Sequence, residues 1–251
     1  MITKFELQDI SKLKGINNIG YAEKDYLLDL FLFSISRNTK QELIFKGGTA
    51  LYKLYKFERF SEDLDFSEVE ILDIDKLVKK IILDLSKFKI ETNILESRGP
   101  FNSILIKFRI KGPLYNGSSQ TFSNIRIDIN RKSSVELNPS LLKFTSLYTE
   151  IPSFYTLVMQ EKEILAEKVR AIITRNKARD LFDAFALLEK GVEIDIELIK
   201  KKMEYYNLKF DKKIFIGSIN KKQYLWDQEL KPFLNKLPAF KEVKNRILFS
   251  L

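Results

Sequence analysis

The sequence predicts an α+β chain, with a sheet-bearing α/β part over residues 1–150 and an α-helical part over residues 151–251. Three observations carry this. Alternating segments crowd the first part: "SEDLDFS" (Ser61–Ser67), "KIETNILES" (Lys89–Ser97), "SILIKFRI" (Ser103–Ile110) and "SNIRIDINR" (Ser123–Arg131). From Tyr155 onward, "LVMQEKEILAEKVRAIITRN", "ARDLFDAFALLEKG" and "IDIELIKKKMEYYN" place apolar residues at helical spacing. Pro139 and Pro152 mark the change of texture between them.

The remaining elements follow in order. "GYAEKDYLLDLFLFSISRN" (Gly20–Asn38) reads as a helix, and "QELIFKGG" (Gln41–Gly48) as a short buried strand stopped by glycine. "TALYKLYKF" resumes helical spacing through Leu51, Leu54 and Tyr55. Residues Ile74–Phe88 form a further helix, and "KGPLYNGSSQ" is a turn-rich connection before the last strand. Gly191 is a suitable C-cap for the helix over "ARDLFDAFALLEKG". No segment reads as a membrane span. The most apolar, Tyr26–Ile35, is interrupted by Asp29 and falls well short of the ~20 residues a span needs, so a cytoplasmic protein without membrane contact is expected.

Composition narrows the chemistry. The chain of 251 residues is 45% hydrophobic with 20 Phe, so it folds around a core. It contains neither Cys nor His, which excludes thiolate nucleophiles, Ser–His triads, imidazole acid–base catalysis and zinc sites built on those ligands. An enzyme with this inventory relies on carboxylates, cations and hydroxyls, and the carboxylates suit a hard cation such as Mg²⁺.

Two stretches concentrate that inventory. Along a strand side chains alternate faces, so Ser61, Asp63, Asp65 and Ser67 share one side of "SEDLDFS". Paired carboxylates on one face repel unless a cation lies between them; solvated acids on an edge strand are the plain alternative. In "SNIRIDINR", Ile125, Ile127 and Ile129 form an apolar face, which leaves Asp128 on the polar one as a candidate third carboxylate. Upstream, Gly47 and Gly48 join a strand to a helix, where missing Cβ atoms let backbone N–H groups approach phosphate, and Thr49 can cap the helix or reach phosphate itself. The spacing is not that of a Walker A loop.

The order strand, Gly-Gly, helix, Asp-x-Asp resembles the nucleotidyltransferases of the DNA polymerase β superfamily. The closer resemblance is to the AbiEii/AbiGii toxin family, through "KGGTAL" (Lys46–Leu51), "RFSEDLDF" (Arg59–Phe66) and the stretch Glu161–Asp183. This implies a polymerase β-like core, a mixed sheet with flanking helices. It implies that Gly47, Gly48 and Ser61 contact a triphosphate, that Asp63 and Asp65 hold metal, and, less directly, that Asp128 is the third acid. It also implies roles for Lys168, which would neutralise phosphate charge near the leaving group, and Asp180, which would orient Lys168 or Arg175. Arg179 and Asp183 are then structural ion-pairing partners.

The resemblance implies transfer of NMP from an NTP to a hydroxyl, with Mg²⁺ or Mn²⁺ as cofactor, by the toxin of a toxin–antitoxin or phage-exclusion pair with a cognate antitoxin. Some members of the family act on the tRNA 3′ end. The formal charge is +9, with the excess concentrated after residue 150, and a basic surface attracts a polyanion; an RNA acceptor held by the helical part, with Lys200–Lys202 as one contact, fits both. A transferase acting on protein hydroxyls, and a non-catalytic nucleotide- or RNA-binding module, answer to the same motifs.

Overall fold

The structure is a computed structural model, and it describes residues 1–99, 102–234 and 236–251. Two N-terminal helices, α1 (Lys4–Leu13) and α2 (Ile19–Asn38), precede β1 (Leu43–Lys46), which runs directly into α3 (Gly47–Lys53). Then come β2 (Asp63–Glu68), α4 (Ile74–Lys87), β3 (Glu91–Arg98), β4 (Ser103–Lys111) and β5 (Ser123–Asn130). Two further strands follow, β6 (Ser140–Phe144) and β7 (Phe154–Val158). The rest is helical: α5 (Glu161–Thr174), α6 (Ala178–Glu189), α7 (Ile196–Glu204), α8 (Lys212–Asn220), α9 (Trp226–Leu230) and α10 (Phe240–Phe249).

The strands make one seven-stranded mixed sheet in the order β3-β4-β5-β2-β1-β7-β6. β2 lies antiparallel to β1 and parallel to β5, while β7 joins β1 in parallel through Phe45 and Val158. The fold is thus α+β with a mixed sheet and flanking helices. Several boundaries differ from the sequence reading: β6 is not among the strands it expects, and the helix through Leu54 and Tyr55 ends at Lys53. The helix expected from Leu157 begins only at Glu161, because Phe154–Val158 adds to the sheet beside β1. The strand expected from Ser61 begins at Asp63, so Ser61 precedes it and strand alternation does not place its side chain.

The chain forms two compact units. The first comprises residues 1–50, 62–134 and 141–158; the second comprises 51–61, 135–140 and 159–251. In the first, α2 supplies the core. Tyr26–Ile35 is almost entirely buried, with Phe31 edge-on to Phe108 of β4 at 5.0 Å between ring centres. The sheet face that meets this core carries Leu64, Phe66, Ile106, Phe108, Ile125, Ile127 and Ile129, all buried. Asp29, which interrupts the apolar run, accepts a hydrogen bond from Ser146 Oγ at 2.6 Å, and Asp25 accepts one from the Tyr148 hydroxyl at 3.0 Å. Buried acids are tolerated when hydrogen-bonded in this way. Among the described residues, no helix is long and apolar enough to cross a membrane.

In the second unit α5 packs against α6, α7 and α8, and Trp226 bridges Phe182 of α6 and Phe240 of α10. Lys202 of α7 is fully buried and pairs with Glu163 of α5 at 2.5 Å. Glu163 in turn accepts the backbone N–H groups of Glu136 and Leu137 at 2.8 and 3.0 Å, fastening the 135–140 segment to the helices. This corrects the expectation that Lys200–Lys202 presents three surface cations to an RNA acceptor. Lys202 is internal, Lys201 pairs with Glu136 at 3.5 Å, and Lys200 pairs with Glu197 at 2.7 Å.

Candidate active site

The alternate face of β2 carries the acids. Strand register sets Asp65 directly opposite Asp128 on the neighbouring parallel strand β5, and Asp63 opposite Arg126. Paired residues project from the same side of a sheet, so Asp63, Asp65 and Asp128 share one face while Leu64 and Ile127 turn to the core. Asp63 and Asp128 are each partly exposed. On the far side of Asp65, Lys46 of β1 is its register partner, so Asp65 stands between a cation and a second carboxylate.

The glycine pair has a defined task here. Gly47 sits at φ +75°, where L-residues are strained, and a Cβ on it would come within 2.5 Å of Asp65 Oδ2. The backbone therefore passes against the carboxylate with no room for a side chain, and that contact sets where Asp65 can point. Thr49, fully buried, donates its hydroxyl to the main-chain carbonyl of Asp63, tying α3 to the start of β2. Gly47→Ala is expected to cost about 1–2 kcal/mol through the left-handed backbone. By moving Asp65 it should also reduce turnover on the order of a hundredfold. Denaturant unfolding read alongside initial rates checks both, and a variant with normal rates would dissociate Gly47 from the chemistry.

The donors suit a hard divalent cation in kind: they are carboxylate oxygens, with no nitrogen or sulfur ligand. Among the described residues, no three acidic side chains are gathered into a ready cage. Asp63 accepts from Arg126 Nη2 at 2.8 Å, and Asp128 accepts from Ser103 Oγ at 3.3 Å. This is compatible with Mg²⁺, which is commonly held by one or two carboxylates and completes its shell with water and substrate phosphate. Asp65 and Asp128 are the pair best placed to begin such a shell, and Asp63 could join by releasing Arg126.

Lys168 and Asp180 belong to the second unit, where they form a buried chain of charges. Arg59 makes a two-pronged contact with Asp183 at 2.7 and 2.9 Å. The Lys168 ammonium lies 2.6 Å from Asp183 and 3.1 Å from Asp180. Arg175 closes the series with two bonds to Asp180, at 2.6 and 2.7 Å. Burial alone would raise both carboxyls above their usual range. For Asp180 the Lys168 and Arg175 charges outweigh burial, and for Asp183 those of Arg59 and Lys168 do, so both are held below it. Asp180 thus contacts both Lys168 and Arg175, and Asp183 is an ion-pairing partner; Arg179 instead places its guanidinium 5.9 Å from the Phe233 ring centre.

Ser61 is buried and lies in the 51–61 segment of the second unit, directly after Phe60, whose N–H bonds the Phe233 carbonyl at 3.1 Å. Three further charged residues take part in these contacts. Lys46 and Arg126 lie on the acid face, at alternation-compatible positions of "LIFK" and "SNIRIDINR" that could have signalled them. Arg59 opens the "RFSEDLDF" stretch, but its partner is remote in sequence and only the fold supplies it.

No curated protein sequence matches the chain. Among solved structures, MenT4, a nucleotidyltransferase toxin of Mycobacterium tuberculosis H37Rv, superposes with a TM-score of 0.66 at 18% identity, over 100% of this chain and 88% of that one. JHP933 of Helicobacter pylori gives 0.59 at 17% identity, over 92% and 89%. At such identities the likeness concerns the fold. The sequence itself carries more: residues 30–246 match the family described as nucleotidyl transferase AbiEii toxin, type IV toxin–antitoxin system. Spanning most of the chain, including the glycine pair, all three acids and the Lys168–Asp180 network, that match makes this chain a member of the AbiEii nucleotidyltransferase toxin family.

Proposed function

We propose that this toxin nucleotidyltransferase moves NMP from an NTP to a hydroxyl of RNA, at the tRNA 3′ end, with Asp63, Asp65 and Asp128 holding the divalent cation, Mg²⁺ or Mn²⁺. The acceptor hydroxyl gives up its proton to solvent, its oxygen forms a bond to the α-phosphorus, the bond from that phosphorus to the oxygen bridging to the β-phosphate breaks, and pyrophosphate leaves. Asp63, Asp65 and Asp128 would hold the cation, which when bound would lower the pKa of the attacking hydroxyl and offset the negative charge of the leaving phosphates. Asp65 and Asp128 present their oxygens from adjacent strands. Gly47 and Gly48 leave backbone N–H groups accessible to the triphosphate, Thr49 fixes the start of β2 through the Asp63 carbonyl, and Ser61 offers a hydroxyl to phosphate. Lys168 meets phosphate charge, and Asp180 and Asp183 hold its ammonium in one orientation. A cognate antitoxin is the partner that the family implies.

The observation that carries this reading is the register pairing of Asp65 with Asp128. Like charges directly opposite on a sheet are destabilising, and a cation between them removes the penalty. Incubation with each α-labelled NTP, Mg²⁺ and total RNA tests it. Label should enter RNA of tRNA size and be lost with Asp65→Asn. Label found in protein and never in RNA would replace the acceptor while leaving the transfer chemistry in place.

A further inference from the structure

The acid-bearing face of the sheet does not end at Asp128. Row by row it continues through β5 and β4, and the side chains it carries turn from acidic to basic. Register places Asp63 opposite Arg126, and Arg126 opposite Lys107. Two residues along β4, Arg109 stands between neutral partners, Asn124 on β5 and Asn93 on β3. The opposite side of β4 holds buried Ile106, Phe108 and Ile110, so this arrangement is imposed by the alternation of one strand.

Aromatic rings lie among the cations. The Arg109 guanidinium sits 5.3 Å from the Phe122 ring centre, and Lys111 Nζ sits 5.5 Å from that of Tyr115. Phe122 and Tyr115 are themselves 4.8 Å apart and partly exposed. Two acids of the edge strand flank the strip: Glu91 pairs with Lys111 at 2.7 Å, and Glu96 is the register partner of Lys107. Among the described residues, Arg109 forms no ion pair with an acid, and it is exposed.

We propose that this strip, Arg126, Lys107 and Arg109 with Phe122 and Tyr115 beside them, is the track on which a single-stranded RNA acceptor lies as its end reaches the acids. The inference rests on the RNA-acceptor reading above and locates that acceptor on the sheet of the first unit, not on α7. Arg126 and Lys107 stand directly opposite each other in register, so a polyanion lying across the two strands meets both cations at once. Side chains on one face of a strand recur about every 6.8 Å, within reach of successive phosphates of an extended backbone. Cations interleaved with partly exposed rings suit unpaired nucleotides, since every base has a face to stack. A protein acceptor would call for an apolar interface centre, and this face is polar and charged.

The test is the salt dependence of binding of a labelled 20-nucleotide single-stranded RNA to the full chain. Each lost phosphate contact should lower the log–log slope by about 0.7, so Lys107→Gln with Arg109→Gln should reduce it by roughly 1.4 and weaken binding about tenfold or more at low salt. Lys107→Arg with Arg109→Lys should restore the slope, and the KM for NTP should stay within about twofold in both, because neither residue contacts the acids. The pair Lys200→Gln with Lys201→Gln should leave the slope at its wild-type value. An unchanged slope in the Lys107/Arg109 double variant overturns the track alone. Wild-type protein without salt-dependent RNA binding overturns the RNA-acceptor reading, and the track with it.

Discussion

Asp128→Asn should lose turnover on the order of a hundredfold to a thousandfold while becoming slightly more stable in the absence of metal. The two effects have opposite signs for one reason. Asp128 lies opposite Asp65 in register, and its own hydrogen-bond donor, Ser103 Oγ at 3.3 Å, can serve an amide oxygen equally well. Removing the charge therefore relieves repulsion across the β2–β5 pair without orphaning a buried group, a gain of about 0.5 kcal/mol. The same charge is part of the proposed cation shell, so its loss weakens the hold on the cation that would offset the phosphate charge. Urea unfolding in chelator should show the gain, and added Mn²⁺ should stabilise wild type more than the variant. Normal turnover in Asp128→Asn would take this residue out of the site. A fall in stability would mean that its carboxylate has a structural counter-charge.

The second large effect concerns the buried charge chain. Asp180→Asn removes the charge that Lys168 shares between Asp180 and Asp183 and weakens the paired contact with Arg175, which should cost about 3 kcal/mol. Arg175→Ala should cost under about 1 kcal/mol, because the Arg175 side chain is 59% exposed and its attraction is screened by water. The pH dependence has a definite sign. The Asp180 carboxyl titrates lower in the folded chain than unfolded, so its contribution is fully present above the ordinary carboxylate value of about 4 and is lost as pH falls below it. Below about pH 4 the stability of wild type should therefore fall more steeply than that of Asp180→Asn, by up to about 1.4 kcal/mol per pH unit. Parallel acid-unfolding profiles would contradict the assignment of Asp180 as a paired carboxylate.

Much of the fold was legible because its signals are local. Alternation in "SNIRIDINR" follows from a strand whose one side is buried, and Ile125, Ile127 and Ile129 are indeed buried. The long α2 helix announced itself by apolar residues at helical spacing, and the structure adds a cap at Asn18, whose side chain accepts from Gly20 N–H at 2.8 Å. β6 and β7 were not legible. Five residues each, flanked by prolines and turns, they match a frayed helix as well as a strand until β1 supplies hydrogen bonds to β7. The "LVMQE" run read as helix for that reason.

The sequence by itself determined the family, the nucleotidyltransferase chemistry that comes with it, and the alternation that puts Asp63 and Asp65 on one side of a strand. These depend on residues close together or on a pattern repeated along one element, where the backbone period alone dictates geometry. Tertiary structure decided what stands across from those residues. Register made Asp128 the neighbour of Asp65, set Lys46 on its other side, and gave Arg126 to Asp63. Packing turned Lys202 from a surface cation into a buried partner of Glu163, and joined Arg59 to Asp183 across more than a hundred residues of chain. Charges interact over a few ångströms of space whatever their separation in sequence, so only the folded chain reveals which of them meet.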